Sequence, residues 1–391
     1  MQIYKFPINS PHPHPIFSQK TLFFPFPVTE IRIFFVSLPL EIYNDDMDKW
    51  LLDILTQSLL TPSPSGSEER VTALFADTIR PYVDEITTDV NGNCIAHKHG
   101  NGPKVMLMAH ADEIGLMISY IDDRGFLYFN QIGGIDTNIL PGLRVMIQGK
   151  NGLVTGIIGK KPIHLQNEKE AGKPLSPEDL WIDIAATSKA DALTKVQVGD
   201  VATFEPNAQL LSDDTILSKS LDDKIGLAIL LGLARNLQPI STDSDIYLVA
   251  SIQEELGARG AQMVSEAIRP EIGIAIDVTH ATDYPTMSPA ADGDIRLGKG
   301  AVIPLGPNMT KGINQSLIAI AEAHKIPYQV EAIAKPTGTD ARMIQVAGQG
   351  IKTGLISIPC RYMHTPGEMV SLSDADSAIS LLTEFLKNRE N

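Results

Sequence analysis

A largely apolar run, IYLVASI at 246–252, ends against two adjacent glutamates, Glu254 and Glu255, followed by a turn carrying Gly257 and Gly260. A segment this short, rich in Ile, Val and Leu and closed by glycine, reads as a buried strand. Neighbouring side chains on a strand point to opposite faces. Two adjacent carboxylates therefore converge on one site only where the strand stops. In open α/β sheets, ligands bind beyond the carboxyl ends of the strands. Taken alone, the stretch is equally compatible with a solvated acidic loop.

The same pattern recurs along the chain. The strand-like run at 105–109 leads directly into His110, that at 273–277 stops at Asp277, and that at 353–358 is followed by His364. Asp222 stands at the start of a strongly helical stretch, 220–237. Singly, a histidine after a strand is more often structural, and an aspartate at a helix start is usually a cap. Together they share one topology. Two imidazoles and three carboxylates are the nitrogen and oxygen donors that zinc or cobalt accepts, and a shared carboxylate can hold two ions together.

The chain of 391 residues is long enough for two or three domains. From Met47 onward the pattern is regular. Helical spacing around Trp50–Leu55 is followed by a helix that Ser67 could cap, and Asn91-Gly92 marks a hairpin. Between 116 and 206, short strands alternate with turn signals such as Gly133-Gly134 and Pro141-Gly142, and helical spacing returns only at 188–195. This is the texture of a small β-rich unit, sandwich or barrel, inserted into a larger α/β domain made of 47–115 and 207–391.

Residues 1–46 do not match the rest. They hold seven of the 12 phenylalanines and seven of the 26 prolines. Prolines and charges interrupt their apolar stretch, which excludes a transmembrane helix and a secretory signal. The segment reads as an extension outside the fold, disordered, and consistent with upstream sequence before a start at Met47; a targeting peptide is the alternative. A net charge of −15 argues against nucleic acid or an anionic membrane as partner. Two cysteines, Cys94 and Cys360, cannot build a disulfide framework, so a reducing, cytoplasmic setting is expected.

Five blocks carry a specific resemblance: AHADEIG (109–115), SLDDKIG (220–226), QEELGARGA (253–261), AIDVTHATDYP (275–285) and YMHTPGE (362–368). In this order they resemble the tetrahedral, glutamyl- or deblocking-type aminopeptidases, over the whole chain from Met47. The resemblance implies a mixed twisted sheet flanked by helices, a zinc-peptidase-like catalytic domain, with a barrel- or PDZ-like dimerisation domain inserted at 116–206. It implies two divalent ions per subunit, zinc ahead of cobalt or manganese. His110 and Asp277 would bind one, Glu255 and His364 the other, and Asp222 would bridge them. Glu254 would be the general base, and Asp112 would orient His110. Asp223 and Lys224 depart from the family's more usual Asn and Arg. Peptides would be the substrates, and the assembly a homo-oligomer of dimers, up to a tetrahedral dodecamer.

The sequence holds no HExxH, GxSxG or CxxC motif. Beside aminopeptidase action stand a deacylase or deblocking activity on the same site, a glycoside hydrolase and an inactive assembly protein. Glycoside hydrolysis needs two free carboxyl groups flanking the bond, and the metal reading leaves none in these blocks. His97 and His99 share a strand face and read as a solvated edge. His280 and the loop Thr337-Gly338-Thr339-Asp340 are candidates to line a pocket. Arg259, Arg342 and Arg361 are the arginines that a carboxypeptidase would need.

Overall fold

The computed structural model describes residues 46–167, 172–240 and 242–387. The expected extension at 1–46 therefore lies, except for Asp46, outside the described residues. Apolar residues at helical spacing form α1 (Asp46–Leu59) and α2 (Glu69–Ile79), and Val71, Phe75 and Ile79 of α2 are buried on one face. Ser67 does not cap α2. Glu68 takes that position without a side-chain cap bond, and its carboxylate instead accepts N–H bonds from Gly66 (2.7 Å) and Gln253 (3.2 Å).

The Asn91-Gly92 turn joins β1 (Glu85–Thr88) to β2 (Cys94–Lys98) in an antiparallel pair with Glu85 opposite His97. Asp89 shapes the turn by accepting N–H bonds from Asn91, Gly92 and Asn93, each within 3.0 Å. After β3 (Lys104–His110) the chain leaves this sheet and builds a closed barrel. Its strands are β4 (Gly115–Ile121), β5 (Leu127–Ile132), β6 (Arg144–Gly149), β7 (Gly152–Lys160), β8 (Leu180–Asp183) and, after α3 (Lys189–Lys195), β9 (Val201–Phe204). They close in the order β4-β5-β8-β7-β6-β9 around Ile118, Phe129, Val145, Ile158 and Ile182. Ser188 caps α3 by accepting the Asp191 N–H.

The chain then returns through β10 (Ala208–Leu210) and β11 (Thr215–Ser218) to the long helix α4 (Leu221–Leu237). Beyond it come β12 (Asp245–Ser251), α5 (Arg259–Ile268), β13 (Ile272–His280), α6 (Pro289–Asp292), β14 (Ala301–Leu305) and α7 (Lys311–His324). The last elements are β15 (Tyr328–Ala332), α8 (Ala341–Val346), β16 (Lys352–Cys360), β17 (Glu368–Ser371) and α9 (Leu372–Lys387).

Eight strands form the main sheet in the order β1-β2-β12-β3-β13-β16-β14-β15. Its centre, β12-β3-β13-β16, is parallel. Helices cover both faces of the centre, which is why these strands read as continuous apolar runs instead of alternating ones. In β3, Val105, Leu107 and Ala109 enter the core shared with α1, α2, α4 and α9, whereas Met106 and Met108 face α5 and α8. The architecture is mixed α/β with a closed six-stranded barrel inserted after β3.

Candidate metal centre and active site

Parallel register brings the predicted residues to one rim. His110 pairs with Ser251 at the end of β12, and Ala275 with Met108, which sets Asp277 level with His110. The strand expected to stop at Asp277 continues to His280. Asp222 was expected at a helix start; it and Asp223 have non-helical backbone angles, so regular helix begins only after them. Left-handed backbone gathers around the site, at Ser220 (φ +51°), Gln253 (+53°) and His364 (+62°). Such conformations cost of order 1–3 kcal/mol each and persist where the surroundings impose them.

The geometry centres on Asp222. One of its oxygens, Oδ1, lies 2.9 Å from His110 Nε2, and the other, Oδ2, lies 3.3 Å from His364 Nε2. Asp277 Oδ1 is 4.0 Å from His110 Nε2, and Glu255 Oε1 is 3.5 Å from His364 Nε2. Tetrahedral bonds of roughly 2.0–2.1 Å to a shared ion would hold neighbouring donor atoms about 3.3 Å apart. His110 Nδ1 faces the carbonyl oxygen of Asp112 (3.1 Å), and His364 Nδ1 faces that of Gly134 (2.7 Å). A carbonyl only accepts, so each Nδ1 carries a proton and each Nε2 faces carboxylates. Positive charge, on the imidazoles or on a bound ion, must accompany these carboxylates, and a divalent cation fits the donor set.

Asp223 competes for one role, since His110, Asp223 and Asp277 bring donor atoms within 4.8 Å of one another, as do His110, Asp222 and Glu255. Its oxygens are already engaged, accepting N–H bonds from His110 (3.2 Å) and Gly226 (3.2 Å). Burial, with Asp277 nearby, pushes its carboxyl well above the usual range.

The Asp112 carboxylate, expected to orient His110, lies 3.5 Å from its Nδ1, farther than Asp112's own carbonyl oxygen, and makes shorter bonds elsewhere. It accepts the N–H groups of Glu254 (2.9 Å) and Glu255 (3.1 Å) and the Ser65 hydroxyl (2.6 Å). Two further carboxylates, Glu368 and Glu113, had no role assigned from sequence, and Asp340 was read only as part of a pocket-lining loop. Glu368 accepts N–H bonds from Asp222 (3.0 Å) and His364 (2.8 Å). Glu113 is fully enclosed, paired with Lys219 and, at 3.1 Å, with Lys224. Asp340 accepts the Ser251 hydroxyl at 2.5 Å. The sequence signal for Glu368 was its place four residues after His364, at the start of a strand.

Electrostatics sharpen the case for cations. Burial pushes Glu254 up to about 10 and Glu255 to about 7, and holds Asp277 well above the carboxylate range. Burial opposes the charge of Asp222 too, but hydrogen bonds from His110 and His364 keep its carboxyl well below the usual value. The bond to Asp222 raises His364 to about 9. Carboxylates crowded this closely in a low dielectric ionise together only with positive charge among them. Glu254 Oε1 is buried without a hydrogen-bond partner among the described residues.

A cavity of ≈ 720 Å³ opens onto this cluster, lined by Asp222, Glu254, Glu255, Asp277 and His364 and, opposite them, by His280, Thr337, Thr339 and Arg342. His280 and the Thr337 loop thus do line the pocket. Arg361 is engaged by Asp283 through two bonds of 2.7 Å.

A cluster of metal-ligand type at the carboxyl rim of such a sheet, beside an unpartnered glutamate, is the site of a hydrolase. Residues 92–381 match the model of the M42 glutamyl aminopeptidases, and the chain belongs to that family of metallopeptidases and is an aminopeptidase. It is 37% identical over 340 residues to a lysyl aminopeptidase of Pyrococcus furiosus, covering 86% of this chain and 96% of the relative. A TET aminopeptidase from a marine-sediment Thaumarchaeota archaeon superimposes with TM-score 0.84 at 30% identity, covering 87% of this chain and 97% of that one. The Pyrococcus horikoshii TET1 peptidase, described as assembling into a tetrahedron or a large octahedral shell, gives TM-score 0.78 at 30% identity, over 86% and 99%.

Proposed function

We propose that the enzyme removes N-terminal residues from short peptides at a site for two divalent ions, with Glu254 as general base. His110 and Asp277 would hold one ion, Glu255 and His364 the other, and Asp222 both. The observation that carries this reading is the division of Asp222, whose two oxygens face two different imidazoles. When bound, the ions would supply Lewis acidity toward the scissile carbonyl and lower the pKa of water. The mixed N/O donors suit zinc first, and also cobalt or manganese.

The chain's own residues account for the rest. Glu254 lines the cavity with its Oε1 unpartnered, and would take a proton from the attacking water and return it to the leaving amine. Asp112 fixes the backbone of Glu254 and Glu255 together, so base and ligand keep one spacing. A protonated free N-terminus is attracted to a cavity ringed by carboxylates, which favours unblocked peptides; N-acetylated substrates distinguish a deblocking activity.

The reading extends to a homo-oligomer joined through the barrel. Met117, Tyr120 and Ile157 on the barrel strands and Val198 in the loop before β9 are 40–57% exposed and are candidates for that contact. A cytoplasmic setting is supported by two free, buried cysteines. No helix among the described residues is long and apolar enough to cross a membrane.

Glu254→Gln tests the mechanism. Hydrolysis should fall by roughly 100- to 10,000-fold while bound metal, counted by elemental analysis, is unchanged. Unchanged hydrolysis would remove Glu254 from the mechanism.

A further inference from the structure

A second group of metal-ligating side chains lies far along the sheet from the catalytic rim. His97 lies on β2 and His99 just past its end, outside the strand face that the sequence suggested, yet their rings stand edge to face with centroids 4.2 Å apart. The hairpin register sets Glu85 of β1 directly opposite His97. Donor atoms of Glu85, His97 and His99 lie within 4.8 Å of one another. His97 pairs with Tyr247 near the start of β12, whereas the catalytic glutamates follow that strand's end. The two clusters therefore sit at opposite rims.

Sequence reasoning treats this pair of histidines as a solvated edge. Its surroundings are more specific than that. Asp245 Oδ1 lies 2.6 Å from His97 Nε2. Asp245 is itself fixed, accepting the Gly100 N–H (3.2 Å) and the Tyr247 hydroxyl (3.2 Å). The Tyr247 ring stacks on the imidazole at 4.0 Å between centroids and 14° between planes. The backbone N–H of His99 donates to Asp84 at 2.8 Å. With Nε2 of His97 turned to the Asp245 carboxylate, Nδ1 is the ring nitrogen left to bind an ion. A histidine locked by a carboxylate on one nitrogen, with the other left open, is the arrangement that metal-bound histidines use.

We propose that Glu85, His97 and His99 form a separate surface site for one borderline divalent transition metal of the zinc, nickel or copper(II) class, with Asp245 as the positioning carboxylate. Two imidazoles and one carboxylate select these ions over magnesium and calcium, which prefer oxygen throughout. Water would complete the coordination, since Glu85 and His99 are exposed. A bound ion would clip the edge strand β1 to β2, at a place where the sheet otherwise ends on unpaired backbone. The proposal does not depend on the assignment of ions at the catalytic rim.

The test uses the full chain, with its catalytic site saturated with zinc and then equilibrated in micromolar free zinc. Zinc per subunit is compared between wild type and His99→Ala. Wild type should hold one more equivalent, at equal rates of peptide hydrolysis. Asp245→Asn should weaken that extra equivalent by roughly 10- to 100-fold. Equal zinc content in wild type and His99→Ala overturns the proposal. So does a loss of hydrolysis in His99→Ala in step with the loss of zinc, because the two sites would then not be separate.

Discussion

Asp222, Glu255 and His364 sit on three different segments, yet two carboxylates that touch no substrate hold them in place. Asp112 takes the N–H groups of Glu254 and Glu255, and Glu368 takes those of Asp222 and His364. Each clamp joins segments more than a hundred residues apart, and each replaces a hydrogen bond that a buried amide would otherwise lack. Glu368→Ala should therefore lower metal affinity or activity by roughly 10- to 100-fold, and Glu368→Gln, which keeps one acceptor oxygen, should recover part of the loss. Metal titration with parallel kinetics checks this: equal affinity in wild type and Glu368→Ala would reduce Glu368 to a structural group. Glu113 acts instead on stability. Burial opposes its charge, but Lys219 and Lys224 hold its carboxyl down at about 2. A carboxyl whose folded value lies below its unfolded one stabilises fully above the unfolded value, near 4.5 here. That stability is lost as pH falls toward 2. Burial pushes Lys224 down to about 7, outside this acid window. Glu113→Gln should cost about 3–5 kcal/mol by stranding buried ammonium groups and should flatten the acid-side slope, read as Tm between about pH 5 and 2.

At the scale of elements, most of the site was legible because strand ends are legible. The sequence places His110, the two glutamates and Asp277 each at or just past an apolar run, and parallel pairing then leaves one rim for all of them. His364 follows a further apolar run, whereas Asp222 was read from its place at a helix start. Glu368 could not be read that way. Its reach to Asp222 depends on β17 lying antiparallel to β11, with Glu368 opposite Ser218, a pairing of residues 150 positions apart between two four-residue strands. Glu113 was hidden for a related reason, since its lysines come from the turn into α4. Turn chemistry gave the hairpin at Asn91-Gly92, but not the cap, expected at Ser67, where Glu68 is drawn off toward Gln253. Short strands between 116 and 206 announced β structure without register, so sandwich and barrel stayed open until closure through β4 and β9 decided it. Within α4, side chains are buried on nearly every face from Leu221 to Ala234, so Leu230→Ala should cost about 2–5 kcal/mol. A thermal melt shifted by less than about 1 kcal/mol would mean that this helix is not the packed spine described.

For the whole molecule, the barrel supplies the active site as well as a surface. The loop after β5 carries Gly134, whose carbonyl receives Nδ1 of His364. Oligomer contacts that shift the barrel would therefore reach the metal centre through a hydrogen bond. If subunits meet through the exposed apolar residues of the barrel, Tyr120→Asp combined with Met117→Lys should yield smaller species by sedimentation, with lower hydrolysis per subunit. An unchanged sedimentation profile would place the interface elsewhere. All of this rests on Asp222 standing between two ions. Anomalous scattering from crystals of the zinc-loaded enzyme, carried out in a His99→Ala background, tests it most directly. Two peaks are predicted, one touching His110 and Asp277, the other Glu255 and His364, and both touching Asp222. A single peak, or a pair that leaves Asp222 untouched, would contradict the account.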